Sequence, residues 1–415
     1  MADIVYTPGQ LKGWEKFASF YMSPLENVML LKGYAATGKS TMVRMFAEKL
    51  SKLDDMRKLI DPNWQGMTVM YTATTNQAAV SLAQAMGGTV STSTVHTALQ
   101  LKLVTEDYKT KKKRLVAYGE KIRNALIFVD EASYIDQELL GLIFLQSENC
   151  KIVFIGDPAQ LTPVGSTFMP AFEMHRNEIE LTDLVRFDDG PISTMVGNLR
   201  DTVLTGNWHK FQLADGIVEH VKRADFDALA YQAFTNEKDW GVTKILGYHN
   251  DRVIHFNNKL SEQVVGTAEL QAGQRVANNS SASNGLSRLF NNEEVLINEI
   301  RESTNYGFDG WDIQLHNKDG VYFMPKQRQF KNEAHRLAVR EDDYSAMKVI
   351  DEEWVDLRPA FSCTVNKSQG STYDTVFVDL DDINAGARTG NQLARLLYVG
   401  NGRCRSRCVM TGGIG

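Results

Sequence analysis

Between residues 28 and 53 the chain writes a strand, a glycine-rich loop and a helix in immediate succession, and no other feature restricts its fold as much. Val28-Met29-Leu30-Leu31 is an apolar run without polar alternation, so both faces of the strand are expected to be buried. Gly33-Tyr34-Ala35-Ala36-Thr37-Gly38-Lys39-Ser40 follows, and then Met42, Phe46, Leu50 and Leu53 recur at helical spacing. The loop has the pattern G-x-x-x-x-G-K-[ST]. Its backbone N–H groups, at the positive end of a helix, can cradle phosphates, with Lys39 on the terminal phosphates and Ser40 on Mg²⁺. Such a string arises by chance in roughly one or two chains per hundred of this length. The strand before it and the helix after it make chance a poorer explanation still.

Three further apolar runs, Met67 to Tyr71, Leu126 to Val129 and Ile152 to Ile155, alternate with helical patterns. This order predicts an α/β fold with a mostly parallel sheet and its chemistry at the carboxyl ends of the strands. Asp130-Glu131 ends one of these strands. In a phosphate-loop enzyme such an Asp holds Mg²⁺ and its neighbour orients and deprotonates water; standing alone, the pair would be an ordinary helix start. Gly156-Asp157-Pro158-Ala159-Gln160 follows the next strand, where Gln160 can sense a terminal phosphate. Without the other motifs it would read as a Gly/Asp/Pro turn.

A second α/β stretch begins near Ile192, with strands at Val242 to Tyr248 and Thr375 to Asp379. Between them, Asn278 to Gly285 is polar and turn-rich, and Glu294 to Ile297, Trp311 to Leu315 and Val321 to Met324 read as short strands. The expected organisation is a first α/β domain at 1–190 with a small hairpin at about 100–122. A second α/β domain follows at 191–275 and 358–415, carrying a β-rich, SH3-like insertion at 276–357. A net charge of −6 argues against a protein that coats nucleic acid, though not against a local basic channel. Cys150, Cys363, Cys404 and Cys408 are too sparse for a disulfide framework, and Cys404 and Cys408 have no neighbouring ligands to complete a zinc site. No apolar run approaches the roughly 20 residues that span a bilayer, and Met1 to Tyr6 lacks a secretory pattern, so a soluble, cytoplasmic protein is expected.

In this order the segments resemble the superfamily 1 helicases, in the 5′→3′ branch that includes RecD and the phage Dda helicase. The resemblance covers nearly the whole chain. Tyr6-Thr7-Pro8-Gly9-Gln10 is similar to the family's adenine-reading motif, with Gln10 in the key position. Thr72 to Ala79 resembles a segment that touches the single strand, which implies contacts from Thr74, Thr75 and Asn76; Ser93-Thr94-Val95-His96 resembles the next, with His96. Leu181 to Arg186 is similar to the stretch whose arginine reaches the γ-phosphate. Thr364 to Gly370 resembles a later strand-contacting motif, with Thr364, Asn366 and Lys367 on the strand and Gly370 at the nucleotide. Leu397 to Arg403 resembles the last motif, whose arginine acts as a finger on ATP. The resemblance implies two RecA-like P-loop NTPase domains with ATP and Mg²⁺ as cofactors. ATP would be held by Gln10, Gly33, Ala36, Thr37, Gly38, Lys39, Ser40, Thr41 and Gly370, and Mg²⁺ by Ser40 and Asp130. Lys39, Asp130, Glu131, Gln160, Arg186 and Arg403 would be the catalytic set. The chain departs from the family at Ala36 (usually Gly), Asn366 (usually His) and Asn401-Gly402 (usually Val-Thr).

Lys109, Lys111, Lys112, Lys113 and Arg114 crowd five cations into six positions. A charge run is ordinarily a solvated loop. This one falls where the resembled family inserts a hairpin, which makes it a candidate strand-separation pin. Tyr108 or Tyr118 would stack on a base, and Lys111, Lys112 and Lys113 would meet duplex phosphates. The expected partners are single-stranded DNA and duplex junctions, with RNA left open, together with replication or recombination proteins. No membrane partner is expected, and the chain is expected to be monomeric. Resemblance alone suggests ATP-dependent 5′→3′ strand separation in a phage or bacterial replication, recombination or repair setting. Two other readings stay open: a single-strand-stimulated translocase that strips proteins with little unwinding, and a nucleic-acid-binding mediator with a vestigial ATP site.

Overall fold

The computed structural model describes residues 6–34, 37–163, 165–174, 177–183 and 190–414. Its contacts divide the chain into two units. The first comprises residues 1–104, 115–210 and 390–402, and the second 105–114, 211–389 and 403–415.

The first unit is built on a six-stranded, wholly parallel sheet. Its order is Glu178–Leu181, Val28–Gly33, Lys151–Gly156, Ala125–Asp130, Thr68–Ala73, Thr92–Thr94. The strands read as unbroken apolar runs because both faces are covered, and the period of two assigns residues to faces. Met29, Leu31, Leu126, Phe128, Val153 and Ile155 pack with Phe17, Met42 and Phe46 on one side. Leu30, Ile127, Val129, Ile152 and Phe154 pack with Ile135, Leu139, Leu140 and Ile143 on the other. Stacking of Phe17 on Phe46, with ring centroids 3.9 Å apart, joins the helix Pro8–Met22 to the helix Lys39–Ile60. The buried Lys151 breaks the apolar pattern. Its ammonium donates to the carbonyls of Phe20, Ser23 and Glu26 and so satisfies the turn after the first helix.

The second unit holds a five-stranded parallel sheet in the order Val218–Val221, Cys404–Thr411, Tyr373–Asp379, Thr243–Gly247, Ser362–Thr364. Phe226, Phe234, Phe256, Phe361 and Phe377 close one face of it. A five-stranded antiparallel sheet is inserted, in the order Tyr322–Pro325, Phe308–Leu315, Glu294–Asn305, Arg275–Asn278, Leu357–Pro359. Its core is Val276, Ile297, Ile313, Leu315, Tyr322 and Leu357. Two helices that the sequence reading did not anticipate, Arg328–Arg340 and Tyr344–Glu352, interrupt this insertion. They pack through Ala334, Ala338, Ala346, Met347 and Ile350 around Trp354, residues at helical spacing within a stretch read only for short strands.

Two groupings differ from the expected division. The helices Pro191–Thr205 and Gly390–Asn401, read as parts of the second domain, pack on each other within the first unit. The hairpin of Leu101–Asp107 and Lys112–Ala117 is divided, and residues 105–114 group with the second unit. Among the described residues, no helix is long and apolar enough to cross a membrane.

Candidate functional site

The phosphate-type loop leaves the strand Val28–Gly33 and enters the helix Lys39–Ile60 through Gly38, which has φ +82° and no side-chain cap. A left-handed residue turns the chain here, and the uncapped N–H groups stay available to a ligand. Gly33 has no room for a side chain, since a Cβ would lie 2.6 Å from the Thr37 hydroxyl oxygen. Thr37 Oγ1 donates to the Tyr34 carbonyl (2.9 Å), and Lys39 Nζ donates to the carbonyls of Gly33 (2.7 Å) and Tyr34 (3.1 Å). Ser40 and Thr41 occupy the first turn of the helix. Ala36 lies outside the described residues, as does Arg186. The guanidinium of Arg200 sits 4.6 Å over the Tyr34 ring and adds a cation beside the loop.

Gln10 is buried at the start of the helix Pro8–Met22. Thr7 caps that helix by accepting from Gln10 N (3.2 Å), and Gln10 Oε1 accepts from Thr7 N in return (3.0 Å). This reciprocal cap fixes the amide and leaves Gln10 Nε2 without a hydrogen-bond partner among the described residues. A buried donor left over in this way suits a ring nitrogen of a purine.

Asp130 ends its strand with a carboxylate that accepts from Glu131 N (2.9 Å). Burial pushes its carboxyl above the usual carboxylate range, against the pulls of the Glu131 N–H and the Lys39 charge. A cation beside it would offset that cost. Mg²⁺ takes hard oxygen donors and commonly needs only one or two protein oxygens besides phosphate and water, so Ser40 and Asp130 fit it. Among the described residues there is no cluster of three or more His, Cys, Asp or Glu that could hold a metal by itself. Glu131 has φ +54° and begins a short 3₁₀ turn, Ala132–Tyr134. From that turn Ser133 Oγ donates to Gln160 Oε1 (3.5 Å).

Of the expected strand-touching residues of the first unit, Thr74 bonds the backbone of this carboxylate pair. Thr74 N and Oγ1 donate to the carbonyls of Asp130 (3.2 Å) and Glu131 (3.1 Å). Thr75 accepts from Ala78 N (3.2 Å) and caps the helix Asn76–Ala85, so Asn76 opens it. Thr94 caps the single turn Val95–Ala98 that carries His96, whose pKa is lowered by burial against the opposing pull of Asp136.

The second unit repeats this device. Thr364 ends the strand Ser362–Thr364, accepts from Lys367 N (3.4 Å) and caps the turn Val365–Ser368. Thr94-Val95-His96 and Thr364-Val365-Asn366 are thus a repeated strand-end turn, with Asn366 exposed on the latter. Lys367 Nζ donates to Asn279 Oδ1, and Asn279 Nδ2 donates to Asp356 (2.9 Å), which also accepts from Arg328 (2.9 Å) and Arg358 (2.8 Å). Burial lowers the pKa of Lys367. Gly370 adopts φ +82°. Arg403 is buried and donates to the Ser371 carbonyl (3.2 Å). The glycine departure at Gly402 is sterically required, because a Cβ there would lie 2.8 Å from the Tyr398 carbonyl oxygen.

The basic hairpin tip is anchored. Tyr108 Oη donates to Glu352 Oε1 (2.8 Å), the Tyr108 carbonyl meets His335 Nε2 (2.8 Å), and Tyr108 packs beside the cluster around Trp354. Lys111 pairs with the buried Asp351 (3.4 Å), and Lys109 with the exposed Asp342 (2.5 Å). Lys112 and Arg114 pair with Glu106 inside the hairpin, at 2.9 and 3.8 Å, and Lys113 is exposed. In the first unit Tyr118 is largely exposed, with the Lys102 ammonium 5.3 Å over its ring.

Sequence reasoning did not single out Arg395, Tyr398 or Asp157. Asp157 is fully buried and accepts from Ala159 N (2.8 Å) and Tyr398 Oη (2.6 Å). Arg395 Nη1 donates to the carbonyls of Pro158 (2.7 Å) and Gln160 (2.6 Å). One signal was available: Arg395 interrupts the apolar run Leu393-Ala394-Arg395-Leu396-Leu397.

Residues 7–221 match the AAA domain family. An uncharacterized protein of Acanthamoeba polyphaga mimivirus is 19% identical, across 94% of this chain and 97% of its own length. Among solved structures, one of two coordinating Pif1 helicases at forked double-stranded DNA superposes with a TM-score of 0.51 at 14% identity, covering 98% of this chain and 92% of that one. The Pif1 helicase from Candida albicans gives a TM-score of 0.50 at 17% identity, covering 99% and 95%. At such identities the likeness is one of fold. With the phosphate loop and the carboxylate pair on one parallel sheet, the chain belongs to the AAA domain family and shares its fold with the Pif1 helicases.

Proposed function

We propose that this chain is an ATP-driven motor that moves 5′→3′ along single-stranded DNA and separates duplex strands. In this reading it works as a monomer in DNA replication, recombination or repair within a phage or bacterial cell. One observation carries the reading: Thr74, in the segment expected to touch the strand, donates from N and Oγ1 to the carbonyls of the Asp130-Glu131 pair. A shift of the strand-holding segment therefore pulls on the backbone of the residues expected to hydrolyse ATP.

The chemistry follows from the side chains. Mg²⁺, when bound by Ser40 and Asp130, supplies positive charge to the phosphates. Lys39 exchanges its loop carbonyls for phosphate oxygens, Gln10 Nε2 donates to the base, Gln160 senses the terminal phosphate, and Glu131 orients the attacking water. The Glu131 carboxylate takes the water's proton. Arg403 and Arg186 supply the remaining positive charge as the γ-phosphoryl group transfers. Grip on the strand by Lys367 and loop donors is directed at phosphates, hence sequence-tolerant and salt-sensitive.

The test is ATP turnover by the purified chain with single-stranded DNA, single-stranded RNA or no polymer, followed by displacement of duplexes with a 5′ or a 3′ overhang. Stimulation by DNA and opening of the 5′-tailed duplex are expected. Removal of streptavidin from a single strand without duplex opening would favour the translocase reading. Turnover indifferent to any polymer would overturn both.

A further inference from the structure

We propose that Arg395 and Tyr398 are positioning residues that hold Gln160 in place for ATP hydrolysis, so that the helix Gly390–Asn401 sets the sensor loop. The proposal rests on the ATPase reading above. The loop's upstream end is fixed by the sheet: Gly156 ends its strand in a site where a Cβ would lie 2.9 Å from the Phe172 ring and 3.2 Å from Ala132 N. Beyond Gly156 the loop is tied internally from Ala159 N to Asp157 Oδ1 (2.8 Å) and from Gln160 N to the Asp157 carbonyl (3.2 Å).

The helix supplies further bonds. Arg395 and Tyr398, three residues apart, lie on one helical face. Nη1 of Arg395 spans the carbonyls of residues 158 and 160, on either side of Ala159, while Tyr398 Oη donates to the buried Asp157 carboxylate (2.6 Å). The guanidinium is itself oriented, since Nε donates to Asn391 Oδ1 (2.8 Å) and Asn391 Nδ2 donates to the Val203 carbonyl (3.1 Å). A planar fork held at Nε presents Nη1 in a set direction, which a lysine ammonium does not. The loop is thus gripped at the Asp157 side chain and at the backbone of Pro158 and of Gln160 itself. The same helix runs directly into Gly402 and Arg403, so one element sets the sensor loop and leads into the expected finger.

The test measures kcat and KM for ATP at saturating single-stranded DNA, with binding of a fluorescent ADP analogue as the control for site integrity. Arg395→Met should lower kcat by about 10- to 100-fold, and Tyr398→Phe by about tenfold, with KM and ADP affinity within about threefold of wild type. Arg395→Lys should recover part of the loss. In a Gln160→Ala background, Arg395→Met should change kcat by less than about twofold, because the group it positions is gone. An unchanged kcat in Arg395→Met, or an equal drop with and without Gln160, overturns the proposal. If Arg395→Met does not fold, Tyr398→Phe decides, since it removes one hydroxyl; full kcat in that variant likewise overturns it. A wild-type chain without DNA-dependent turnover would refute the functional reading instead.

Discussion

Residues 105–114 bear the expected strand-separating element, and their anchoring can be weakened without removing it. Tyr108→Phe deletes one hydrogen bond to the Glu352 carboxylate, and Lys111→Met deletes the partner of a buried Asp351. Hydrogen bonds to charged groups contribute about 1.5–3 kcal/mol when buried. Tyr108 is half-buried, and Asp351 keeps His335 at 3.4 Å, so each loss is nearer to about 1 kcal/mol. The double variant should therefore weaken docking by about 2 kcal/mol, or roughly 30-fold in the docking equilibrium. The exposed Lys109–Asp342 pair is left in place and adds little. Two measurements belong together: amide hydrogen exchange across 105–114, and base pairs opened per ATP hydrolysed on a 5′-tailed duplex. Exchange in the tip should rise by roughly the docking factor, DNA-stimulated ATP turnover should stay near wild type, and pairs opened per ATP should fall, because a pin that swings cannot block the duplex while the strand is pulled. Opening each pair costs about 1.4 kcal/mol of stacking, so an unblocked fork closes again between steps. Raised exchange with unchanged opening per ATP would refute the argument and make the tip a solvated loop.

Three other outcomes are expected. Lys39→Ala should abolish nearly all ATP turnover while single-strand binding persists; normal turnover would remove the phosphate-loop assignment. Arg403→Ala and Arg186→Ala should each bind nucleotide yet lose roughly 10³–10⁵ in rate, and near wild-type turnover by both would dismiss the finger roles. Burial lowers the pKa of Lys331, whose ammonium donates to the Trp354 carbonyl, to about 8, and burial likewise holds Lys151 at about 8. Both folded values lie below the ordinary lysine value, so between about pH 8 and 10 the unfolded chain binds more protons and stability rises with pH. Lys331→Met should reduce that rise by about 1–3 kcal/mol in urea denaturation followed across this window. A slope unchanged by the substitution would contradict the burial argument.

Much of the fold was legible in the sequence because it is written locally. An unbroken run such as Leu126 to Val129 needs cover on both faces, and a glycine at Gly38 before Lys39-Ser40 marks a left-handed turn into a helix. The candidate site segments at the ends of those elements, Asp130-Glu131 and Gly156 to Gln160, stand out for the same reason: each sits where a periodic segment stops. The capping threonines Thr75, Thr94 and Thr364 were named for a resemblance, and the structure adds that each accepts from a backbone N–H at the start of a helical segment.

Other features depend on partners far away in sequence. The helices Arg328–Arg340 and Tyr344–Glu352 each have a narrow apolar face, and Trp354, Phe323 and Tyr108 cover that face. Tyr108 looked like a free aromatic in a charged loop until Glu352, 244 positions away, accepted its hydroxyl. In the sequence Arg395 interrupts an apolar run and Tyr398 lies within the segment Leu397 to Arg403 with no role of its own. Only the fold brings them to Pro158, Gln160 and Asp157, more than 230 positions earlier. By itself the sequence determined most of the strands and helices of the two parallel sheets, and which loops are candidates for phosphate chemistry, because backbone geometry and hydrophobic period act over a few residues. The tertiary structure decided which side chains hold those loops still, because a buried polar group is satisfied by whatever the packing brings within hydrogen-bond reach.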